Sequence, residues 1–138
     1  MNNIFADAGY WIALLHPRDD LHSKARAVSA QLGQVRLVTS EMILTEVLNY
    51  FADKGPSLRQ AAEAFAAQIQ IDPNSFVVPQ TSIQFKNAFR FYQQRNDKSW
   101  GLTDCASILI MQSEGIHEAL AHDINFKQAG FTALLRED

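Results

Sequence analysis

Four acidic residues, Asp7, Glu46, Asp104 and Asp123, each follow or sit within an apolar stretch, where an isolated carboxylate is costly. They are spread over almost the whole 138-residue chain, so only a fold that gathers them could make them one site. Two carboxylates at ~4 Å repel each other by roughly 4 kcal/mol at an effective dielectric of about 20. A divalent cation removes that repulsion. Such an ion is also a common agent of phosphodiester cleavage.

The elements that would have to gather these acids can be read from periodicity. Ile4-Phe5-Ala6 reads as a short buried strand ending at Asp7, and Val35 to Thr39 as a second. Phe76-Val77-Val78 is a third, Ala119-Leu120-Ala121 a fourth leading to Asp123, and Phe131 to Leu135 a fifth. Helical spacing covers Asp20 to Leu32, closed by Gly33, and a segment capped by Ser40 that runs to about Asp53. Ser57 and Gln60 have capping-box spacing ahead of another helix. Ser82 to Gln94 follows, with Phe85, Ala88, Phe89 and Tyr92 expected to face inward, and Thr103 is expected to cap the next helix. A short helix closed by Gly130 precedes the fifth strand.

The strand cores are continuous apolar runs and alternate with helices, which predicts a parallel sheet covered on both faces. The expected class is therefore α/β. In such sheets ligands bind beyond the carboxyl ends of the strands, near the reversal in strand order. Asp7 and Asp123 fall at predicted strand ends, and Asp104 lies in a first helical turn, where the helix dipole favours an anion. Glu46 lies within a helix. Glu41, five positions earlier, points about 140° away from it and cannot easily share its site. Taken singly, each acid has an ordinary explanation as a cap or turn residue; the coincidence of placement favours a shared site.

Bulk properties restrict the class further. Apolar residues make up 47% and charged residues 20%, the composition of one globular domain over residues 1–138. The single cysteine, Cys105, excludes a disulfide framework and a cysteine zinc cluster, and reads as a small buried hydrophobe. His16 and His22 lack zinc-ligand spacing, and His122 reads as a loop histidine. No secretory leader or membrane-spanning run is apparent, which predicts a cytoplasmic protein without a membrane partner. The net charge of −3 argues against a non-specific duplex binder, although setting aside the four candidate ligands leaves a nearly balanced surface.

The motifs resemble those of the PIN-domain ribonucleases, especially the VapC-type toxins of toxin–antitoxin pairs, over nearly the entire chain. Phe5-Ala6-Asp7 through Leu15 is similar to the first acidic motif, and Thr39-Ser40 with Glu46-Val47-Leu48-Asn49 to the second. Leu102-Thr103-Asp104-Cys105-Ala106-Ser107 resembles the third, and His122-Asp123-Ile124-Asn125-Phe126 with Gly130-Phe131 the fourth. The sequence departs from the family at Ala8, where many members carry a hydroxyl residue, and at Ala121, where a Thr is frequent.

The resemblance implies a PIN-like three-layer α/β/α sandwich around a mainly parallel five-stranded sheet. It implies an endoribonuclease dependent on magnesium or manganese, ions suited to oxygen ligands. Asp7 and Asp104 would be direct ligands, Glu46 and Asp123 would complete the site directly or through water, and Thr103 would support it by its hydroxyl. It also implies an RNA substrate, an antitoxin covering the acidic cleft, and a homodimer, for which Trp11, Ile12 and Phe91 are candidate contacts. Lys86, Arg90, Arg95 and Lys98 are candidate RNA-binding residues, while Trp100 is expected to pack in the core. The alternatives are a PIN-fold RNA-processing nuclease without an antitoxin and an inactive PIN-like binding module. A haloacid-dehalogenase-type phosphatase is rejected because Gly9 stands where its second aspartate should be, and a receiver domain because its paired acids and lysine are missing.

Overall fold

The computed structural model describes residues 2–138. The strands are β1 (Asn2–Ala6), β2 (Val35–Ser40), β3 (Ser75–Val78), β4 (Glu118–Leu120) and β5 (Thr132–Ala133). They form one sheet in the order β3-β2-β1-β4-β5, and every neighbouring pair is parallel. Ile4, Phe5 and Ala6 are consecutive and all buried, so both faces of the central strand are covered. The chain winds outward from β1 through β2 to β3, then returns to the other side of β1 for β4 and β5. The reversal therefore falls between β1 and β4, where Asp7 and Asp123 emerge.

The helices are α1 (Ala8–Leu15), α2 (His22–Gln31), α3 (Glu41–Phe51), α4 (Pro56–Ile71), α5 (Ser82–Gln94), α6 (Leu102–Glu114) and α7 (Ile124–Gln128). Helix α1 is an addition to the elements that periodicity indicates. It is short and mostly apolar, and Trp11 within it is buried, with its ring 4.7 Å from that of Phe65. Trp11 therefore belongs to the core and not to a subunit contact. Ile12 packs against the same core, and Phe91 against a second cluster containing Met42, Ala88, Trp100 and Cys105.

Two helix starts differ from expectation. Gly55, not Ser57, is the N-cap of α4, with Pro56 in the first turn, where its missing N–H costs nothing. Gly101, not Thr103, is the N-cap of α6, and the Asp104 carboxylate accepts the Gly101 N–H at 3.0 Å. The Ser40 cap of α3 is as expected, its hydroxyl accepting the Ile43 N–H at 3.2 Å. On α5 only Ala88 is buried, whereas Phe85, Phe89 and Tyr92 are 45%, 47% and 48% exposed. The helix presents a small residue to its neighbours and leaves these rings in solvent.

Two buried contacts brace the site. The Thr39 hydroxyl donates to the Ala6 carbonyl at 2.9 Å, tying β2 to the end of β1. Phe126 on α7 packs against Phe5 of β1, with ring centroids 6.3 Å apart, and holds α7 on the sheet. Phe126→Ala is expected to cost about 3–5 kcal/mol in urea unfolding, whereas Ile83→Ala, at an exposed position, should cost well under about 1 kcal/mol.

Candidate active site

Asp7 sits immediately after β1, and its backbone N–H extends the sheet by donating to the Leu120 carbonyl of β4 at 3.1 Å. Its carboxyl is pushed up from 3.8 to about 7, mainly by burial. The Ala8 amide opposes the shift, while the charges of Asp104, Glu46 and Asp123 add to it. Glu46, Asp104 and Asp123 therefore all lie within electrostatic reach of Asp7, although the four acids come from the end of β1, α3, α6 and the β4–α7 connection.

Asp104 is held most firmly. Its Oδ2 accepts from the Gly101 N–H and, at 2.8 Å, from the Asn125 side-chain amide. Burial nevertheless raises its pKa, and Asp123 adds to the rise. Glu46 is likewise raised by partial burial, with the Thr103 hydroxyl pulling it back and Asp104 pushing it up. Thr103 thus serves Glu46 across two helices and is not a helix cap. Asp123 caps α7, accepting the Asn125 N–H at 3.0 Å.

Asn125 is the residue that sequence reasoning passes over. It is visible there only as part of the fourth motif, yet its backbone N–H holds Asp123 and its side chain holds Asp104. Arg136 gives no signal in the sequence either. Its guanidinium donates to the His122 carbonyl at 2.9 Å and pairs with Asp138, whose hydrogen bond raises its pKa, with a smaller contribution from the charge of Asp123.

The four candidate ligands suit a hard divalent cation, being all carboxylate oxygen with mutual repulsion to relieve. Among the described residues, no three acidic, histidine or cysteine side chains are set closely enough to hold an ion as they stand. Asp104 and Asp123 instead spend oxygens on hydrogen bonds to Gly101 and Asn125. The elements converge, and side-chain rotation would be needed to complete a ligand set. Ala8 and Ala121, the two departures from the family pattern, are both buried among apolar neighbours.

The candidate RNA-binding cations are not equivalent. Arg95 is committed, pairing through two nitrogens with Asp97 and lying 4.6 Å over the Trp100 ring. Lys86, Arg90 and Lys98 form no ion pair among the described residues. Trp100 is buried as expected, its indole N–H donating to Gln128. A depression of about 570 Å³ lies between α5 and α6, is lined by residues such as Asn87, Arg90 and Leu109, and includes none of the four acids. The chemistry argues for the acidic site at the strand ends over that groove, which has no carboxylate in its lining. Among the described residues no helix is long and apolar enough to cross a membrane.

No protein-family model matches the chain. It is similar to the 23S rRNA-specific endonuclease VapC20 of Mycobacterium tuberculosis, from strains CDC 1551 and H37Rv. The identity is 26% over 134 residues, covering 97% of this chain and 99% of that protein. The crystal structure of M. tuberculosis VapC20, described as a sarcin-ricin loop cleaving toxin, superposes with a TM-score of 0.83 at 26% identity. That match covers 94% of this chain and 96% of the other. Over nearly its whole length, and on an all-parallel five-stranded sheet, this chain is similar in sequence and fold to a VapC-type PIN-domain toxin.

Proposed function

We propose that the chain is a metal-dependent endoribonuclease acting as the toxin of a toxin–antitoxin pair. The observation that carries this reading is the electrostatic coupling of four carboxylates from separate elements at the reversal of the sheet. RNA as the substrate class follows from the likeness to VapC20, whose name specifies 23S rRNA. A cognate antitoxin covering the acidic cleft and a homodimeric state complete the proposal.

Magnesium or manganese would be held by Asp7 and Asp104, with Glu46 and Asp123 joining directly or through water. Such an ion supplies an activated water and stabilises charge developing on the scissile phosphate. The chain's own residues prepare for that. Asn125 and Gly101 orient Asp104, Thr103 favours the charged form of Glu46, and Asn125 steadies Asp123. Asp7, the most desolvated of the four, keeps its proton until the pH approaches 7.

Incubation of the purified protein with a panel of RNAs that includes 23S rRNA, with magnesium or with chelator, tests the activity. Cleavage should require the metal, and Asp7→Asn should fall to the level seen with chelator. Full magnesium-dependent cleavage by Asp7→Asn would remove Asp7 from the site. Asn125→Ala should weaken metal affinity or activity by about 10–100-fold while leaving all four carboxylates in place.

The raised Asp7 pKa also sets a pH dependence. Unfolded, the group loses its proton near 3.8; folded, near 7, so the folded form binds more protons between these values. Its contribution to stability is fully present below 3.8 and is lost as pH rises through about 7. The metal-free protein should therefore melt at a lower temperature at about pH 8 than at about pH 5. Magnesium should reverse the loss at the higher pH. Asp7→Asn should diminish both effects, and a melting temperature that climbs over this interval without metal would contradict the assignment.

A further inference from the structure

Phe85, Phe89 and Tyr92 occupy one flank of α5 at spacings of four and three residues, and about half of each ring is exposed. Phe85 and Phe89 lie nearly parallel, at 10° with centroids 6.4 Å apart, so the flank is an ordered row of rings. Lys86 and Arg90 stand beside it, exposed and without ion pairs among the described residues, and α5 contains no acidic residue. The row ends in a depression of about 320 Å³ shared by Tyr92, Lys98 and Gly101. Gly101 is the residue whose N–H holds the Asp104 carboxylate.

We propose that this α5 flank is a stacking track for unpaired bases of the RNA strand, with Lys86, Arg90 and Lys98 holding its phosphates, and that it delivers the strand past Gly101 to the acidic site. The inference rests on the ribonuclease reading and adds to it a binding surface and the residues that form it. Exposed rings next to unpaired cations are what a single strand requires, because every base offers a face to stack while its phosphates seek positive charge. A second copy of the chain fits less well. A two-fold contact through this flank would bring Lys86 and Arg90 of each copy together, with no acid on the helix to offset them.

The test measures binding of a single-stranded RNA that the wild type cleaves, using Asp7→Asn as the uncleaving background. Adding Phe89→Ala or Tyr92→Ala to that background should weaken binding roughly tenfold or more. Phe89→Tyr, which keeps a ring, should retain it. The loss caused by Phe89→Ala should vanish on an RNA made abasic at the one position that stacks there. Lys86→Gln should weaken binding evenly across sequences and reduce its salt dependence. Unchanged affinity after ring removal, with wild-type cleavage intact, would overturn the track and leave the ribonuclease reading standing. The track is likewise overturned if ring removal converts a dimer to a monomer in sedimentation without base-dependent loss of RNA affinity. Failure of the wild type to bind or cleave any RNA would overturn both.

Discussion

The arrangement depends on keeping like charges close together in a partly desolvated place. Burial and mutual repulsion both push the carboxyls of Asp7, Glu46 and Asp104 toward their neutral forms. Left to local preference, flexible segments would separate such groups. Here they are carried by a strand end and helices already committed to a packed sheet, so the cost of crowding is met by core burial elsewhere. A bound cation would relieve this crowding, since neutralisation would return what proximity costs.

The scaffold serves this constraint through a small number of contacts. Asp7 and Asp123 flank the reversal because β1 has β2 on one side and β4 on the other. Thr39 ties β2 to the last residue before Asp7. Phe126 seats α7 on Phe5, and the preceding residue, Asn125, then reaches both Asp104 and Asp123. Core packing and site geometry thus meet at adjacent positions. Ala8 and Ala121 contribute apolar burial beside the site, and the polar support comes from Asn125, Gly101 and Thr103.

Where sequence and structure part, the reasons are local. Phe85, Phe89 and Tyr92 have the spacing of a buried stripe, but Ala88 lies closest to the neighbouring helix and the aromatic row falls to one side of it. Thr103 looks like a cap by residue type, yet Asp104 reaches back to Gly101, so the helix begins earlier and Thr103 is released to Glu46. Helix α1 is hard to read because an almost uniformly apolar segment carries no amphipathic period. The bounds of α5, by contrast, are legible, because Thr81 and the polar loop from Asn96 mark its two ends.

The order of apolar runs and turn signals in the sequence determined an α/β chain with a parallel sheet, and residue type and placement alone singled out Asp7, Glu46, Asp104 and Asp123. Those properties are local, being set by periodicity and by the cost of placing a carboxylate beside apolar residues. Only the tertiary structure decided that acids up to 116 positions apart (Asp7 to Asp123) share one electrostatic environment, that Asn125 bridges two of them, and that the α5 rings remain in solvent. Convergence, burial and exposure depend on which elements pack together, and no local pattern encodes that partnership.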